Sequence, residues 1–429
     1  MAQDRRPPLS PEAAAVVRAM RATGGRTVAS AAPSRRSLLT GAGALGMGAL
    51  LAACGTRAPG GGGAAPSGSA SASTGPAAAK DLSDTEKVVN WANWTLYLDK
   101  DDKQQYPSLK AFEAKTGIKA TYAEDIEDND TYYGKIQPQL RQGQDIGKDV
   151  VVFTDWMAGR LIRQGYVQKF DPAAVPNAKN LLPALQQASF DPGRQYSLTW
   201  QSGFAGVAYN KKKVSKPVRT VEDLWRPDLK GRVEVLSEWR DTLGLIMRSQ
   251  GTDIDKAFTQ EQFDKALEVL STQLGNGQIR QVKGNSYKED LISGDALAVI
   301  GWSGDIFQIN AEYDDQWEFV VPESGGTLWS DNLLIPIGSP HKKNAEKLID
   351  YYYDPAIAAE VAAYVNYVCP VKGAQEEMAK SSDPEVAALA KSPWIFPTDE
   401  FLGNSKVFRS LKADEEVAFT QAFQKVVGA

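Results

Sequence analysis

Gly325-Gly326-Thr327-Leu328-Trp329-Ser330-Asp331-Asn332-Leu333-Leu334-Ile335-Pro336 is the stretch on which the fold turns. A glycine pair opens it, one aromatic and one carboxylate follow, and it then becomes strongly apolar, as a strand does when it ends in a cleft. Leu333 to Ile335 can pack in a sheet, whereas Trp329 and Asp331, two apart, project from one face. That face offers a flat π surface beside a negative charge. The pair suits an organic cation, because the ring attracts the charge and covers neighbouring methylenes while the carboxylate accepts charged N–H bonds. A core Trp beside an exposed Asp is the competing reading, and the remainder of the chain has to decide.

The chain has 429 residues, 42% of them hydrophobic, which is enough for two ordinary domains plus extensions. Two cysteines, Cys54 and Cys369, cannot make a disulfide framework, and Cys369 reads as a buried thiol. A single histidine, His341, speaks against a His-ligated metal site or a Ser-His-Asp triad. No cofactor is expected.

The N-terminus reads as an export signal. Ser34-Arg35-Arg36-Ser37-Leu38-Leu39 carries paired arginines directly before the small-residue apolar stretch Thr40 to Ala53, which points to the twin-arginine route. That stretch is too short for an ordinary membrane-spanning helix. It ends in Leu51-Ala52-Ala53-Cys54-Gly55, which resembles the lipobox of bacterial lipoproteins, so Cys54 would be lipidated and begin the mature chain. The competing reading is a chance cysteine behind a plain secretory signal. From Gly55 to Lys80 the chain is almost entirely Gly, Ala, Pro, Ser and Thr, the composition of a flexible tether. Removing residues 1–53 takes seven arginines and two acids from 48 basic and 53 acidic residues, leaving 41 and 51, a net of −10. An acidic mature chain argues against nucleic acid as a partner and weakly favours a cationic one.

The body begins with a strand over Val88 to Ala92, followed by the polar and aromatic Asn93-Trp94-Thr95-Leu96-Tyr97. Pro107 near its start and Gly117 at its end frame a helix over Tyr106 to Lys115, and Ile118 to Tyr122 is the second strand. Asn129 can cap a helix through Leu140, and Asp149 to Phe153 is a buried strand running into Thr154-Asp155-Trp156. Each strand thus delivers polar or aromatic residues at its carboxyl end, where open α/β sheets bind ligands. Tyr196 to Asn210 is long and extended, a crossover between domains, after which the pattern restarts with a helix opening at Thr220, a strand over Arg232 to Leu236 and a helix over Glu238 to Gln250. Strands at Ile279 to Val282, Ala296 to Gly301 and Trp317 to Val321 alternate with helices at Gln260 to Gln273 and Tyr287 to Ile292. The strand Trp329 to Ile337 crosses back, and Lys343 to Tyr353, Pro355 to Asn366, Glu385 to Ala390 and Asp414 to Val427 close the fold as helices.

Two α/β lobes joined by two crossings make a hinged binding architecture. From about Val88 to Val427 the chain resembles the polyamine (spermidine/putrescine) solute-binding proteins of ABC transporters. The resemblance rests on Asn93-Trp94-Thr95-Leu96-Tyr97, Lys115-Thr116-Gly117-Ile118-Lys119, Asp149-Val150-Val151-Val152 and Gly165-Tyr166-Val167-Gln168-Lys169-Phe170-Asp171. It continues in Val221-Glu222-Asp223-Leu224-Trp225-Arg226-Pro227, in Trp302-Ser303-Gly304 and in the stretch from Gly325 to Pro336. It implies a two-lobed α/β fold of the periplasmic-binding-protein type (type II), with two crossover strands and a ligand cleft between the lobes. The expected organisation is a twin-arginine lipoprotein signal at 1–53, a tether at 54–85, one lobe from 86–203 and 331–376, and the other from 204–330 and 377–429.

What the resemblance implies for the cleft is an aromatic-walled site with carboxylates for the ammonium groups. Trp94, Thr95 and Tyr97 would form one wall, Thr154 and Trp156 the next edge, Trp302 and Trp329 the facing aromatics, and Asp331 the central carboxylate. Glu238 and Asp241, three apart at a helix start, share one face and could converge on one amine, although they could equally complement the helix dipole. Two departures bear on preference: Leu96 stands where the family can carry a glutamate, and Arg409 stands near the position of a ligand-contacting amide. Both point to a shorter diamine or a mono-cationic or zwitterionic relative. Trp91, Trp200, Trp225 and Trp239 read as core or hinge aromatics. Tyr351-Tyr352-Tyr353 is similar to the tyrosine ligands of ferric-ion receptors, but its helical apolar spacing reads as core, and no metal is expected. The implied partners are a small cationic ligand, a permease and an ATPase, and the membrane through Cys54, for a monomer on the outer face of the cytoplasmic membrane. An anion or ferric-ion receptor on the same fold, or an enzyme using Glu238 and Asp241 as a glycosidase pair, is the alternative.

Overall fold

The computed structural model describes residues 75–101, 103–398 and 402–428. The signal segment, Cys54 and the first part of the tether lie outside the described residues.

Ten strands form one sheet in the order β2-β1-β3-β9-β4-β7-β5-β6, with β10 on β9 and β8 on β4. Their ranges are β1 Val88–Trp94, β2 Lys119–Ile126, β3 Val150–Thr154, β4 Ser197–Asn210, β5 Val233–Leu236, β6 Ile279–Lys283, β7 Ala298–Trp302, β8 Trp317–Val320, β9 Gly326–Leu334 and β10 Ser405–Val407. Within each lobe the strands run parallel, β1 beside β2 and β3, and β5 beside β6 and β7, as helical crossovers require. The two long strands do the joining. The first part of β4 pairs antiparallel with β9, from Ser197 opposite Leu334 to Ala205 opposite Thr327, and its last part pairs with β7 and β8. All fourteen residues of β4 are buried, so it reads as a continuous apolar and small-residue run.

Two cores flank this shared spine. In the first, Trp91 sits edge-on to Trp200 at 4.9 Å and near Tyr352 at 5.3 Å, and the cluster extends through Phe112, Phe153 and Leu333. In the second, Phe263 stacks on Phe419 at 4.0 Å and Trp239 meets both edge-on. Trp225 is only partly buried against that second core. Met378, Ala390 and Ile395 pack into the first core.

Local departures have local causes. The helix expected from Thr220 is a single 3-10 turn over Glu222–Trp225, because Pro227 forces Arg226 into an extended conformation (φ −66°, ψ 145°). The cap of the helix Asn129–Arg141 is Asp128, whose carboxylate accepts from Thr131 N–H at 3.0 Å, and Asn129 is freed for another task. Strand β10 is three residues long and carries no periodicity, so nothing in the sequence announced it.

The end of the expected tether is also part of the body. Ala79 N–H donates to Ile337 at 3.0 Å, Leu82 N–H to Pro340 at 2.7 Å, and Ser83 is buried. His341 fastens this segment: its Nε2 lies 3.0 Å from Glu86 Oε2 and its Nδ1 3.0 Å from Asp149 Oδ1. Burial alone would lower the imidazole pKa, but the two carboxylates outweigh it and the pKa is raised. Stabilisation from such a group is fully present below the unfolded pKa of roughly 6.5 and is lost as pH rises through the folded value. The gain in unfolding free energy between about pH 8 and about pH 6 should therefore be smaller for His341→Gln than for wild type in urea titrations. Equal gains would show that His341 does not carry it.

Candidate functional site: an acidic, aromatic cleft between the lobes

The strand ends converge on one cavity between the lobes. It is lined by Trp94, Thr95, Tyr97, Thr154, Trp302, Trp329 and Tyr367, by the acids Glu127, Asp128, Glu238, Asp241, Asp305 and Asp331, and by Asn129, Ser237 and Asn285.

Asp331 sits at the centre because of register. Thr154, the last residue of β3, lies opposite it, and its hydroxyl donates to Asp331 Oδ1 at 2.7 Å. Asn129 orients that hydroxyl, donating to it from Nδ2 at 2.8 Å and accepting from Thr154 N–H at 3.2 Å. On the other side β1 ends at Trp94, and a turn with Leu96 at φ 58° swings Tyr97 back so that its hydroxyl donates to Asp331 Oδ2 at 2.9 Å. Burial raises the Asp331 pKa to about 7 even though Thr154 and Tyr97 pull it down, and Asp155 and Asp241 add to the rise. Burial and the adjacent carboxylate push the Tyr97 phenol well above its usual range, so it stays a donor.

Asp241 is held the same way from the other lobe. Trp302, the last residue of β7, donates its indole N–H to Oδ2 at 2.8 Å, and Thr327 of β9 donates its hydroxyl to Oδ1 at 2.6 Å. Thr327, Trp329 and Asp331 alternate along one face of β9, as the period of two demands. Burial lifts the Asp241 pKa to about 6 against these two hydrogen bonds. Glu238 is raised to about 8, chiefly by burial, with Arg240 opposing and Asp241 adding. It caps the helix Trp239–Ser249 as well, accepting from Arg240 N–H at 3.3 Å.

Nine of the twelve residues expected at the ligand line the cavity, and three do not. Leu96 sits in the turn and contributes only its carbonyl, which accepts from Gln308 at 3.4 Å. Trp156 lies behind the cavity, where its indole N–H donates to Glu238 at 3.1 Å. Arg409 is turned away: its guanidinium pairs with Glu415 at 2.8 Å and lies 4.3 Å over the Phe258 ring. Neither of the two departures from the family pattern therefore touches the cavity, and the preference argued from them loses its footing. The Tyr351 to Tyr353 run packs in the first core, with Tyr351 bonded to the Ser108 carbonyl and Tyr353 to that of Thr199.

The sequence reading missed Glu127, Asp128, Asn129, Ser237 and Asn285 as lining residues, and with them Asp305 and Tyr367. Asp305 accepts from Tyr287 at 2.9 Å, Tyr367 at 3.0 Å and Lys288 Nζ at 3.1 Å. It follows Trp302-Ser303-Gly304 directly, at the end of a strand, and that position was the available signal. Tyr367 follows Asn366, which ends its helix at φ 57°, and no short-range pattern marks it.

With this geometry in view, the chain proves to match the bacterial extracellular solute-binding protein family over residues 108–388, and it belongs to that family. It is 26% identical over 324 residues to the spermidine/putrescine-binding periplasmic protein of Salmonella typhimurium, covering 74% of this chain and 88% of the relative. It is 25% identical over 366 residues to the putrescine-binding periplasmic protein PotF of Escherichia coli, covering 80% and 92%. Among solved structures it shares the fold of the spermidine/putrescine ABC transporter substrate-binding protein PotD of Streptococcus pneumoniae, with TM-score 0.64, 23% identity, and 79% and 98% covered. The TpPotD lipoprotein of Treponema pallidum gives TM-score 0.65 at 20% identity, with 80% and 100% covered.

The hydrogen bonds to Asp241 can be tested directly. Trp302→Phe keeps a ring but deletes the indole N–H, one of the groups holding that pKa down. The Asp241 carboxyl should then titrate above the value of about 6 expected for wild type, as read by 13C NMR; an unmoved titration would place Trp302 elsewhere.

Proposed function

We propose that this protein captures a polyamine, a putrescine- or spermidine-like cation, outside the cytoplasm and delivers it to the permease and ATPase of an ABC importer. The observation that carries the reading is Asp331, a carboxylate buried at the meeting of both lobes beside Trp329, whose hydrogen bonds come only from neutral donors. A buried anion with neutral partners is left wanting a cation, and aromatic rings beside it suit the methylenes of an alkylamine. The names of the relatives support the same ligand class.

Asp331→Asn keeps the shape and removes the charge. Calorimetric affinity for putrescine or spermidine, whichever binds better, should fall by about 2 to 4 kcal/mol. Affinity should also weaken as pH falls from about 8 to about 6, because a protonated Asp331 must release its proton to meet the ammonium. One such group gives about a tenfold loss per unit below its pKa. An affinity indifferent to both changes would remove Asp331 from the binding site, and native mass spectrometry of protein purified without added ligand would then separate a metal or anion receptor from a polyamine one.

We further propose export by the twin-arginine route and anchoring to the outer face of the cytoplasmic membrane through a lipid on Cys54. The support is Leu51-Ala52-Ala53-Cys54 with the arginine pair before it and the small-residue segment behind it. Cys54→Ala should move the protein from the membrane fraction to the soluble one. Unchanged membrane association would end the lipoprotein reading.

A further inference from the structure

Glu416 lies in the first turn of the helix Ala413–Val427, in the second lobe, and its carboxylate is surrounded by arginines of both lobes. Arg163 reaches one oxygen at 3.0 Å, and Arg160 and Arg240 reach the other at 3.3 Å and 3.0 Å. Arg160 and Arg163 belong to the helix Asp155–Arg163 of the first lobe, and Arg240 to the helix Trp239–Ser249 of the second. Trp156 fills the centre, with the Arg240 guanidinium 3.8 Å and the Arg160 guanidinium 4.9 Å from its ring centroid. Its indole N–H donates across the lobes to Glu238 at 3.1 Å, and Glu238 in turn lines the cavity. Asp130 lies 3.0 Å from Arg160, and Glu238 lies 3.5 Å from Arg240.

We propose that this cluster is an interlobe latch, with Glu416 as the residue that ties the first lobe to the second and sets how long a captured solute is retained. It rests on the solute-binding reading of the cavity. The charge balance gives the mechanism: parted, the first lobe keeps Arg160 and Arg163 against Asp130 alone, an excess of one positive charge. Contact with the Glu416 carboxylate of the second lobe neutralises it. Glu416 is 4% exposed and Arg240 5%, so the pairs lose water when the lobes meet. That desolvation offsets much of the attraction, which makes the latch reversible instead of permanent. Trp156 donates to Glu238 across the same boundary, so an opening that parts the latch also breaks a contact made by the cavity wall.

The test labels an exposed position in each lobe, Lys110→Cys and Lys265→Cys, in the full chain carrying Cys54→Ala, and measures the interlobe distance by electron-spin methods without added ligand. Glu416→Gln, which removes the charge at constant shape, should lengthen the distance distribution and speed putrescine release in stopped-flow by about tenfold, with little change in association. Arg163→Gln should act in the same direction. Its side chain is 44% exposed, so this variant decides the matter should Glu416→Gln fail to fold. Unchanged distances and release, or a lowered melting temperature with the distance unmoved, would overturn the latch. The distance measurement needs no ligand, so a failure to bind putrescine counts against the polyamine reading alone.

Discussion

The site depends on one buried charge, the carboxylate of Asp331, placed on a strand that both lobes share. Because β9 is hydrogen-bonded to β3 on one side and β4 on the other, the position of Asp331 is set by sheet register and not by a loop. A slip of one residue would turn Thr327, Trp329 and Asp331 together to the opposite face. The donors to it come from two further strand ends, Tyr97 beyond β1 and Thr154 at the end of β3, so the carboxylate ties together how two strands terminate.

Of the six acids that line the cavity, Glu127 is exposed and Asp128 caps a helix, and the other four divide by the kind of partner they have. Asp305 is met by the ammonium of Lys288, and Glu238 by the guanidinium of Arg240. Asp241 and Asp331 receive only hydroxyl and indole donors, which stabilise an anion without cancelling its charge. Among these four, the charges without a cationic hydrogen-bond partner are therefore those of Asp241 and Asp331, one brought in by each lobe. Burial lifts both pKa values, so a proton can discharge either acid while no cation is bound.

Most of the architecture could be read from the chain because strand ends, glycine stops and apolar periods are local signals. The two crossings, the βαβ order of both lobes and the pairing of Trp329 with Asp331 all follow from such patterns. The failures are non-local. Arg409 stands near the cleft in sequence order, but a carboxylate six residues on and an aromatic ring from another loop draw it elsewhere. Trp156 was placed in the right neighbourhood, yet two guanidiniums on its ring hold it behind the wall instead of in it. The tether was judged by composition, and composition cannot show that the backbone of Ala79 and Leu82 finds carbonyls on the first lobe.

The aromatic wall is backed by bare backbone, which makes it stiff. A Cβ on Gly203 of β4 would lie 2.6 Å from the Trp329 ring, and one on Gly304 would lie 2.5 Å from Tyr367. Both rings therefore lie directly against main chain that is already locked, β4 by its sheet partners and Gly304 by its helix. Trp329 and Tyr367 also meet each other at 5.3 Å, and Tyr367 meets Tyr97 at 5.4 Å, so each ring limits the rotamers of the next. Side chains fixed in this way have given up their freedom on folding, and a solute entering between them does not have to order them again. The hydroxyls of Tyr97 and Tyr367 are set by the same packing, which aims one at Asp331 and the other at Asp305 and so ties the apolar wall to the acids it encloses.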